Sequence, residues 1–282
     1  MKKGISIWSF AGADIRENLK LAKDAGFDGV ELALNETGEF SLESTKEEVL
    51  AIKAFGEELG LEFYSVASGL YWTYNYTSAN EENVKKAKEV TKKQLEVASW
   101  LGCDTILVVP GAVEVAFEPG EVVEYDVAYE RALSALKELA PYAEELKVAI
   151  GIENVWNRFL LSPVEMAEFI DKVGSDWVGS YFDVGNVLYI GYPEHWIKIL
   201  NKRIKKVHFK DYRRAAGDLH GFVDLLAGEV NWPAVMEQFR NIGYDGWVTA
   251  EMLPPYTHYP EAILYNTSTA MDYILEEEKS ND

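Results

Sequence analysis

The sequence is poor in cysteine, in histidine and in basic residues. Its single cysteine, Cys103, excludes an intramolecular disulfide and any zinc site built on cysteines. The 27 lysines and arginines are outnumbered by 47 aspartates and glutamates, which gives a net charge of −20. Such a charge repels nucleic acid and anionic membrane surfaces, so we expect neither as a partner. A lone thiol, expected to be buried, is typical of a protein of the reducing cytoplasm.

Long hydrophobic runs and linker-like segments are also missing. No apolar stretch approaches the roughly 20 residues that are needed to cross a bilayer. The short apolar stretch after the N-terminal lysines is followed at once by Asp14 and Arg16, which indicates a first strand and not a signal peptide. No Pro/Gly/Ser-rich segment or change of composition divides the chain, and we therefore expect one domain over residues 1–282.

What the sequence does contain is a regular alternation of strand-like and helix-like segments. The apolar segments predicted as strands are residues 4–10, 29–34, 61–67, 105–110, 148–153, 178–183, 204–209 and 247–251. Amphipathic segments with helical spacing lie between them, at residues 15–25, 46–59, 82–101, 128–146, 163–173 and 232–242. Strands that alternate with helices in this way predict an α/β fold, a single (β/α)₈ TIM barrel closed by right-handed crossovers.

The last four predicted strands each end on a side chain that can bind a metal. These side chains are Glu153, Asp183, His208 and Glu251. In a parallel barrel the C-terminal ends of neighbouring strands share one face, so the four side chains can reach one ion. Three carboxylates and one imidazole suit a divalent cation that prefers oxygen, and the ion offsets their clustered negative charge. Singly, each has a simpler explanation, as a helix cap, a core histidine or half of an ion pair.

The longer segments without periodicity follow predicted strands and are rich in aromatic residues. They span residues 68–78, 111–126, 212–230 and 252–259, which become the loops of the functional face of a barrel. The aromatic residues in these loops include Tyr71, Trp72, Tyr74, Tyr76, Phe117, Phe222 and Tyr256. Trp8 and Phe10, at the end of the first predicted strand, are expected to form part of the same pocket wall. Packing in the core is the alternative for each of these residues.

A set of short motifs surrounds the predicted strand ends. The motifs are Ile152-Glu153-Asn154 with Asn157-Arg158-Phe159, Phe182-Asp183-Val184-Gly185-Asn186, Val207-His208-Phe209-Lys210-Asp211, Gly228-Glu229-Val230-Asn231-Trp232, and Gly243-Tyr244-Asp245-Gly246-Trp247 leading to Glu251. With these motifs the chain resembles the sugar isomerase/epimerase superfamily, whose fold is the xylose isomerase-like TIM barrel. That group includes ketose 3-epimerases, sugar-phosphate 3-epimerases and hydroxypyruvate isomerase. The resemblance runs through the whole chain and is strongest in its second half.

The resemblance implies a divalent-metal-dependent sugar isomerase or epimerase, foremost a ketose or ketose-phosphate 3-epimerase. It implies one ion, Mn²⁺ before Co²⁺, Mg²⁺, Fe²⁺ or Zn²⁺, held by Glu153, Asp183, His208 and Glu251. Glu153 and Glu251 would then act as acid and base on the two faces of a metal-stabilised cis-enediolate. The partner is a small sugar or sugar phosphate, and the assembly is expected to be a homodimer or homotetramer.

Further residues are assigned to the substrate or to the support of the metal ligands. Asn186 stands where the tagatose-type epimerases usually carry a histidine against the substrate, which is closer to the sugar-phosphate branch. The residues expected to contact the substrate are Trp8, Phe10, Tyr71, Asn186, Arg213 and Arg214. One of the two arginines could hold a phosphate, a carboxylate or a distal hydroxyl. The residues expected to orient the ligands from behind are Glu31, Lys210 and Asp211.

Three alternatives remain open at this point. Endonuclease IV uses the same barrel, but it needs more histidines than the four present, and the net charge opposes phosphodiester binding. A metal-dependent lyase on 3-keto sugars or C-glycosides would begin with the same proton abstraction and continue by β-elimination. A non-catalytic sugar-binding barrel is the alternative from another class, against which the intact Glu153 and Glu251 argue.

Overall fold

The computed structural model describes residues 1–115 and 120–276 and contains a closed barrel of parallel strands. The strands are β1 (Lys2–Ser6), β2 (Gly29–Ala33), β3 (Glu62–Ala67), β4 (Thr105–Val108), β5 (Ala149–Glu153), β6 (Val178–Asp183), β7 (Ile204–Phe209) and β8 (Trp247–Ala250). Each strand is hydrogen-bonded to its neighbours in chain order, and β8 closes the barrel against β1 with Lys2 opposite Trp247. The predicted (β/α)₈ TIM barrel is therefore confirmed.

Helices surround this barrel and cover the outer faces of its strands. They are α1 (Ile15–Asp24), α2 (Lys46–Glu58), α3 (Glu81–Leu101), α4 (Tyr125–Leu146), α5 (Pro163–Val173), α6 (Val184–Leu188), α7 (Pro193–Leu200), α8 (Trp232–Ile242) and α9 (Ala262–Glu276). Among residues 1–115 and 120–276, none of these helices combines the length and the apolar character that a membrane crossing requires.

Local sequence signals explain where several of these helices begin and end. Thr45 and Glu48 form a capping box at the start of α2, in which each side chain bonds the backbone N–H of the other residue. At the ends of α3 and α8, Gly102 and Gly243 adopt φ values of 88° and 70°. Glycine accepts this left-handed conformation without the steric cost of a side chain, so both helices stop before the next strand.

The structure also contains elements that the periodicity does not predict. The first strand ends at Ser6 and continues as a 3₁₀ turn over Ile7–Ser9, so Trp8 lies in that turn and Phe10 beyond it. The short helices α6 and α7 were not predicted, because five and eight residues are too few to establish a helical period. An antiparallel pair of two-residue strands, Asp211–Tyr212 and Phe222–Val223, forms a small hairpin after β7.

The N-terminal part of the barrel interior is filled by aromatic side chains. Tyr64 stacks on Trp247 with the ring centroids 4.0 Å apart, and its hydroxyl forms a 2.9 Å hydrogen bond with Thr249. A Cβ atom on Gly4 would lie 2.0 Å from the Tyr64 hydroxyl oxygen, which explains the glycine at this strand position. The packed interior leaves the C-terminal ends of the strands, where the polar side chains are grouped, as the face available for a site.

Candidate metal centre

Four side chains from neighbouring strands meet at the C-terminal end of the barrel. Glu153 and Asp183 are the last residues of β5 and β6, His208 is the second-last residue of β7, and Glu251 directly follows β8. Each offers one ligand atom, and these atoms all lie within 4.8 Å of one another. All four residues are buried. The structure thus brings together the four metal-binding side chains that end the predicted strands, and this group could hold one metal ion.

The ligand atoms lie close together but form no hydrogen bonds of normal geometry with one another. His208 Nδ1 lies 3.0 Å from Glu251 Oε2, 3.4 Å from Glu153 Oε1 and 3.9 Å from Asp183 Oδ2. In residues 1–115 and 120–276, Nδ1 and the named oxygens of Asp183 and Glu251 are buried and make no hydrogen bond of normal geometry. Buried polar atoms are almost always paired, and a cation at their common centre would satisfy all three.

A buried hydrogen-bond network fixes the orientation of the His208 ring. Its Nε2 atom lies 2.9 Å from Glu31 Oε1, which leaves Nδ1 directed at the other ligands. The second oxygen of Glu31 accepts hydrogen bonds from the hydroxyls of Ser65, at 2.7 Å, and Tyr181. A carboxylate behind a histidine ligand sets the tautomer and the basicity of the ring. Glu31 therefore makes the contact with His208 that the sequence suggested.

Lys210 lies inside the group of ligands and not behind it. Its Nζ atom is 2.7 Å from Glu251 Oε2 and 3.2 Å from Asp183 Oδ2, and the side chain lines the cavity above. The sequence carried a signal for this position, because side chains two residues apart on a strand point to the same side. Lys210 follows His208 by two residues, so an inward-facing His208 predicts an inward-facing Lys210.

The two glutamates of the centre have opposite pKa shifts. Burial raises the pKa of Glu153 to about 7, although His208 partly opposes the shift. Burial would also raise the pKa of Glu251, but its attraction to Lys210 and His208 is stronger and lowers the pKa to about 2. The environment thus favours the protonated form of Glu153 and the ionised form of Glu251. Two carboxyl groups tuned apart in this way are suited to act as an acid and a base.

We expect the apparent affinity for Mn²⁺ to fall when the pH is lowered through 7. A metal binds the ionised carboxylate, and Glu153, with its pKa raised to about 7, takes up a competing proton below that pH. Each competing proton weakens binding by about tenfold per pH unit. His208 adds a second one, because its carboxylate neighbours outweigh burial and raise its pKa well above the usual value. Titration calorimetry at pH 8, 7 and 6 measures the affinity and the protons released. Glu153→Gln, which has no proton to lose there, should give a flatter profile, and unchanged affinity of the native protein between pH 8 and 6 would contradict the expectation.

A cavity of about 1040 Å³ opens above the four ligands, and some of the residues predicted to contact the substrate line it. Trp8, Asn186 and Arg213 line it together with Glu153 and Glu251. Arg214 does not, which corrects the prediction for this residue. Its guanidinium donates to the backbone oxygens of Leu188, at 2.8 Å, and Gly191, at 3.1 Å, and lies over the ring of Tyr192.

Two of the predicted pocket aromatics belong to the core instead. Tyr71 is 1% exposed, and its hydroxyl donates to Gln94 Oε1 of α3 at 2.6 Å. The prediction that it contacts substrate is wrong, because the 3₁₀ turn Gly69–Trp72 directs Tyr71 towards α3 and the adjacent Trp72 towards the cavity. Phe10 is likewise packed in the hydrophobic core and does not line the cavity. Phe117, another aromatic of the predicted loops, lies outside the described residues.

Asp211 supports the cavity wall and not the metal ligands, which corrects the role predicted for it. Its Oδ1 atom accepts from the backbone N–H of Tyr212 and Val230, at 2.9 and 3.1 Å. Its Oδ2 atom accepts from the N–H of Leu226 and the indole of Trp232, at 3.0 and 3.1 Å. Four donors thus tie the start, the middle and the end of the loop between β7 and α8 to one buried carboxylate.

Comparison with known proteins places this arrangement in a family. The family model described as the xylose isomerase-like TIM barrel matches residues 19–268. The L-ribulose-5-phosphate 3-epimerase UlaE of Salmonella paratyphi A is 23% identical, over 94% of this chain and 90% of its own. The D-psicose 3-epimerase of Enterocloster bolteae is 24% identical, over 85% and 77%. The crystal structure of a D-tagatose 3-epimerase-like protein superposes with a TM-score of 0.82 at 20% identity, over 100% and 99% of the two chains. The chain belongs to the xylose isomerase-like TIM barrel family.

Proposed function

We propose that this protein is a divalent-metal-dependent sugar epimerase and that epimerisation of a ketose or ketose phosphate at C3 is its reaction. The observation that carries the proposal is the buried group of Glu153, Asp183, His208 and Glu251, whose ligand atoms all lie within 4.8 Å of one another. The similarity to two proteins named as 3-epimerases of a ketose and a ketose phosphate supports the same reaction class.

In this proposal the four clustered side chains hold one ion, and we put Mn²⁺ first. Three oxygens and one nitrogen accept Mn²⁺, Co²⁺, Mg²⁺ or Fe²⁺, and Zn²⁺ is a further candidate. The ion, when bound, supplies a Lewis acid that makes the hydrogen beside a carbonyl group more acidic. Lys210, 2.7 Å from Glu251 Oε2, keeps that carboxylate ionised and ready to accept a proton.

Glu153 and Glu251 are proposed to transfer the protons. They come from β5 and β8, which are separated in the barrel by β6 and β7, so a sugar above the centre has one glutamate on each side. One glutamate removes the proton from the carbon beside the carbonyl, and the other returns a proton from the opposite face and inverts that carbon. Asn186 and Arg213 on the cavity wall are proposed to bind the hydroxyl groups or the distal end of the substrate.

Exchange of a carbon-bound proton for deuterium tests this function directly. Free and phosphorylated ketoses are incubated in D₂O with the Mn²⁺-loaded protein and followed by NMR. The proposal predicts deuterium at C3 and the appearance of the 3-epimer with an unchanged carbon skeleton. The Asp183→Asn variant is the control, because it lacks a ligand but retains the size of the side chain.

The outcomes of this experiment separate the alternatives. Deuterium at C1 with an aldose product would indicate an aldose–ketose isomerase. Loss of water, or release of two fragments from a 3-keto sugar or C-glycoside, would indicate a lyase. No exchange with any ketose or keto glycoside would leave a sugar-binding barrel without catalysis. The single domain, the cytoplasmic location and a homodimer or homotetramer stay predictions of the sequence.

A further inference from the structure

The cavity above the metal centre is larger than a simple sugar requires. Its volume of about 1040 Å³ is at the upper end of the range of about 300–1,000 Å³ that is typical of pockets for drug-sized ligands. A six-carbon ketose held between Glu153 and Glu251 would occupy only the floor of this cavity. The remaining volume is therefore available for a second group attached to the sugar.

The walls of this remaining volume are largely apolar. The loop between β8 and α9 contributes residues 253–256, of which three are leucine or proline and the fourth is tyrosine. The hairpin after β7 contributes Leu219, from the connection between its two strands, and Phe222, from its second strand. Leu219 and Leu253 are 42% and 46% exposed, although both face the same concave site. An apolar group bound between them would remove this surface from water.

The charges that line the cavity make a phosphate the less suitable second group. Lys210 and Arg213 are its lining cations apart from His258, within the described residues. Lys210 is already paired with two carboxylates, and Arg213 Nε donates to a backbone oxygen. Asp211 and Asp224 line the cavity as well, beside the two glutamates of the centre. A phosphate dianion is usually bound by several charged donors, and within the described cavity lining it would compete with two carboxylates for Lys210 and rely mainly on the remaining N–H groups of Arg213.

We propose that the preferred substrate is an uncharged ketose that carries an apolar substituent, such as an aryl or alkyl group in ether linkage at the end of the sugar remote from the carbonyl. The sugar lies at the metal centre, as in the proposed function on which this inference rests, and the substituent lies between Leu219 and Leu253. Because Glu153 and Leu253 line one continuous cavity, both parts of such a molecule can be held at the same time.

Binding calorimetry on the Mn²⁺-loaded protein tests the substituent site without relying on turnover. The probes are the 6-O-methyl and 6-O-phenyl ethers of fructose, psicose and tagatose, which keep the carbonyl free, with ribulose 5-phosphate as the charged comparison. The phenyl member of a pair should bind about tenfold or more tightly than the methyl member, because it buries more apolar surface. Leu219→Asn and Leu253→Asn should each reduce this preference by at least about threefold. Leu50→Asn is the matched control, since Leu50 is 40% exposed on α2 and far from the cavity lining.

Several results would overturn the inference. Equal affinity of the paired ethers, or no binding of any phenyl ether, removes the apolar subsite. Tighter binding of ribulose 5-phosphate than of every ether would assign the cavity to a phosphate. If the leucine variants dissociate an oligomer and keep the phenyl preference, the leucines are subunit contacts. Failure of the proposed function would differ from all of these, because deuterium exchange would be absent while the phenyl preference persists.

Discussion

Glu251→Gln is expected to lower kcat by at least about a thousandfold while the barrel remains folded. Proton transfer by a positioned side chain contributes about 10²–10⁴-fold to a rate, and glutamine keeps the shape of the side chain but cannot accept the proton. The change also removes the ion pair between Glu251 and Lys210, whose atoms are 2.7 Å apart. Glu153→Gln is expected to have an effect of the same size, because the second glutamate supplies the proton on the other face.

The measurement must separate the loss of proton transfer from the loss of metal. Both glutamates are proposed ligands, so kcat is measured at Mn²⁺ concentrations that saturate each variant, with metal content checked in parallel. The far-UV circular dichroism of both variants should match that of the native protein. Glu237→Gln, an exposed glutamate on α8, is the matched control and should have native kcat. Activity within a few fold of native in either active-site variant would contradict the two-glutamate mechanism.

Removal of divalent metal is expected to abolish turnover and to lower thermal stability. A ligand that binds only the folded state at a hundred times its Kd stabilises it by about 2.7 kcal/mol. For a chain of this size that corresponds to a rise in Tm of roughly 5–10 °C. The ion should have this effect because it relieves the repulsion among three buried carboxylates, which Lys210 alone offsets only in part, and gives His208 Nδ1 a partner.

The His208→Ala variant shows whether this stabilisation comes from the proposed site. The Tm of each protein is compared with and without Mn²⁺, so the cost of the mutation itself cancels. The metal-induced rise should be lost or strongly reduced in His208→Ala and retained in His195→Ala, a change of an exposed histidine on α7. An equal rise in His208→Ala, or full activity of the chelated native protein, would show that the ion binds elsewhere or is not needed.

The barrel and its four clustered side chains could be predicted because short sequence patterns mark the bounds of the strands and helices. The bounds of β6 and β7 match the predicted segments, since each apolar run ends at or beside a polar residue of the centre. The bounds of α5 also match, because Pro163 begins the helix and Gly174 ends it in the left-handed conformation. Because all strands of the barrel are parallel, their C-terminal ends lie at one face, and the four side chains meet there.

The residues of the cavity wall could not be predicted in the same way. Tyr71 and Trp72 are adjacent aromatics in one loop, and only the geometry of a single 3₁₀ turn decides which of them faces the cavity. Arg213 and Arg214 are also adjacent, and only Arg213 lines the cavity. Arg214 is turned away because it donates to backbone oxygens of another segment of the chain. Such tertiary contacts leave no periodic pattern in the sequence.

The network of Glu31, Ser65 and Tyr181 below His208 is built from strand residues. Leu219 lies in a short 3₁₀ turn of the loop between β7 and α8, and Leu253 lies in the loop between β8 and α9. Distant sites with no shared partners usually change stability independently. Randomised libraries confined to these loops should therefore yield enzymes with altered substrate preference that load metal as the parent does. The same separation would let related proteins change substrate through their loops while they keep one reaction centre on the strands.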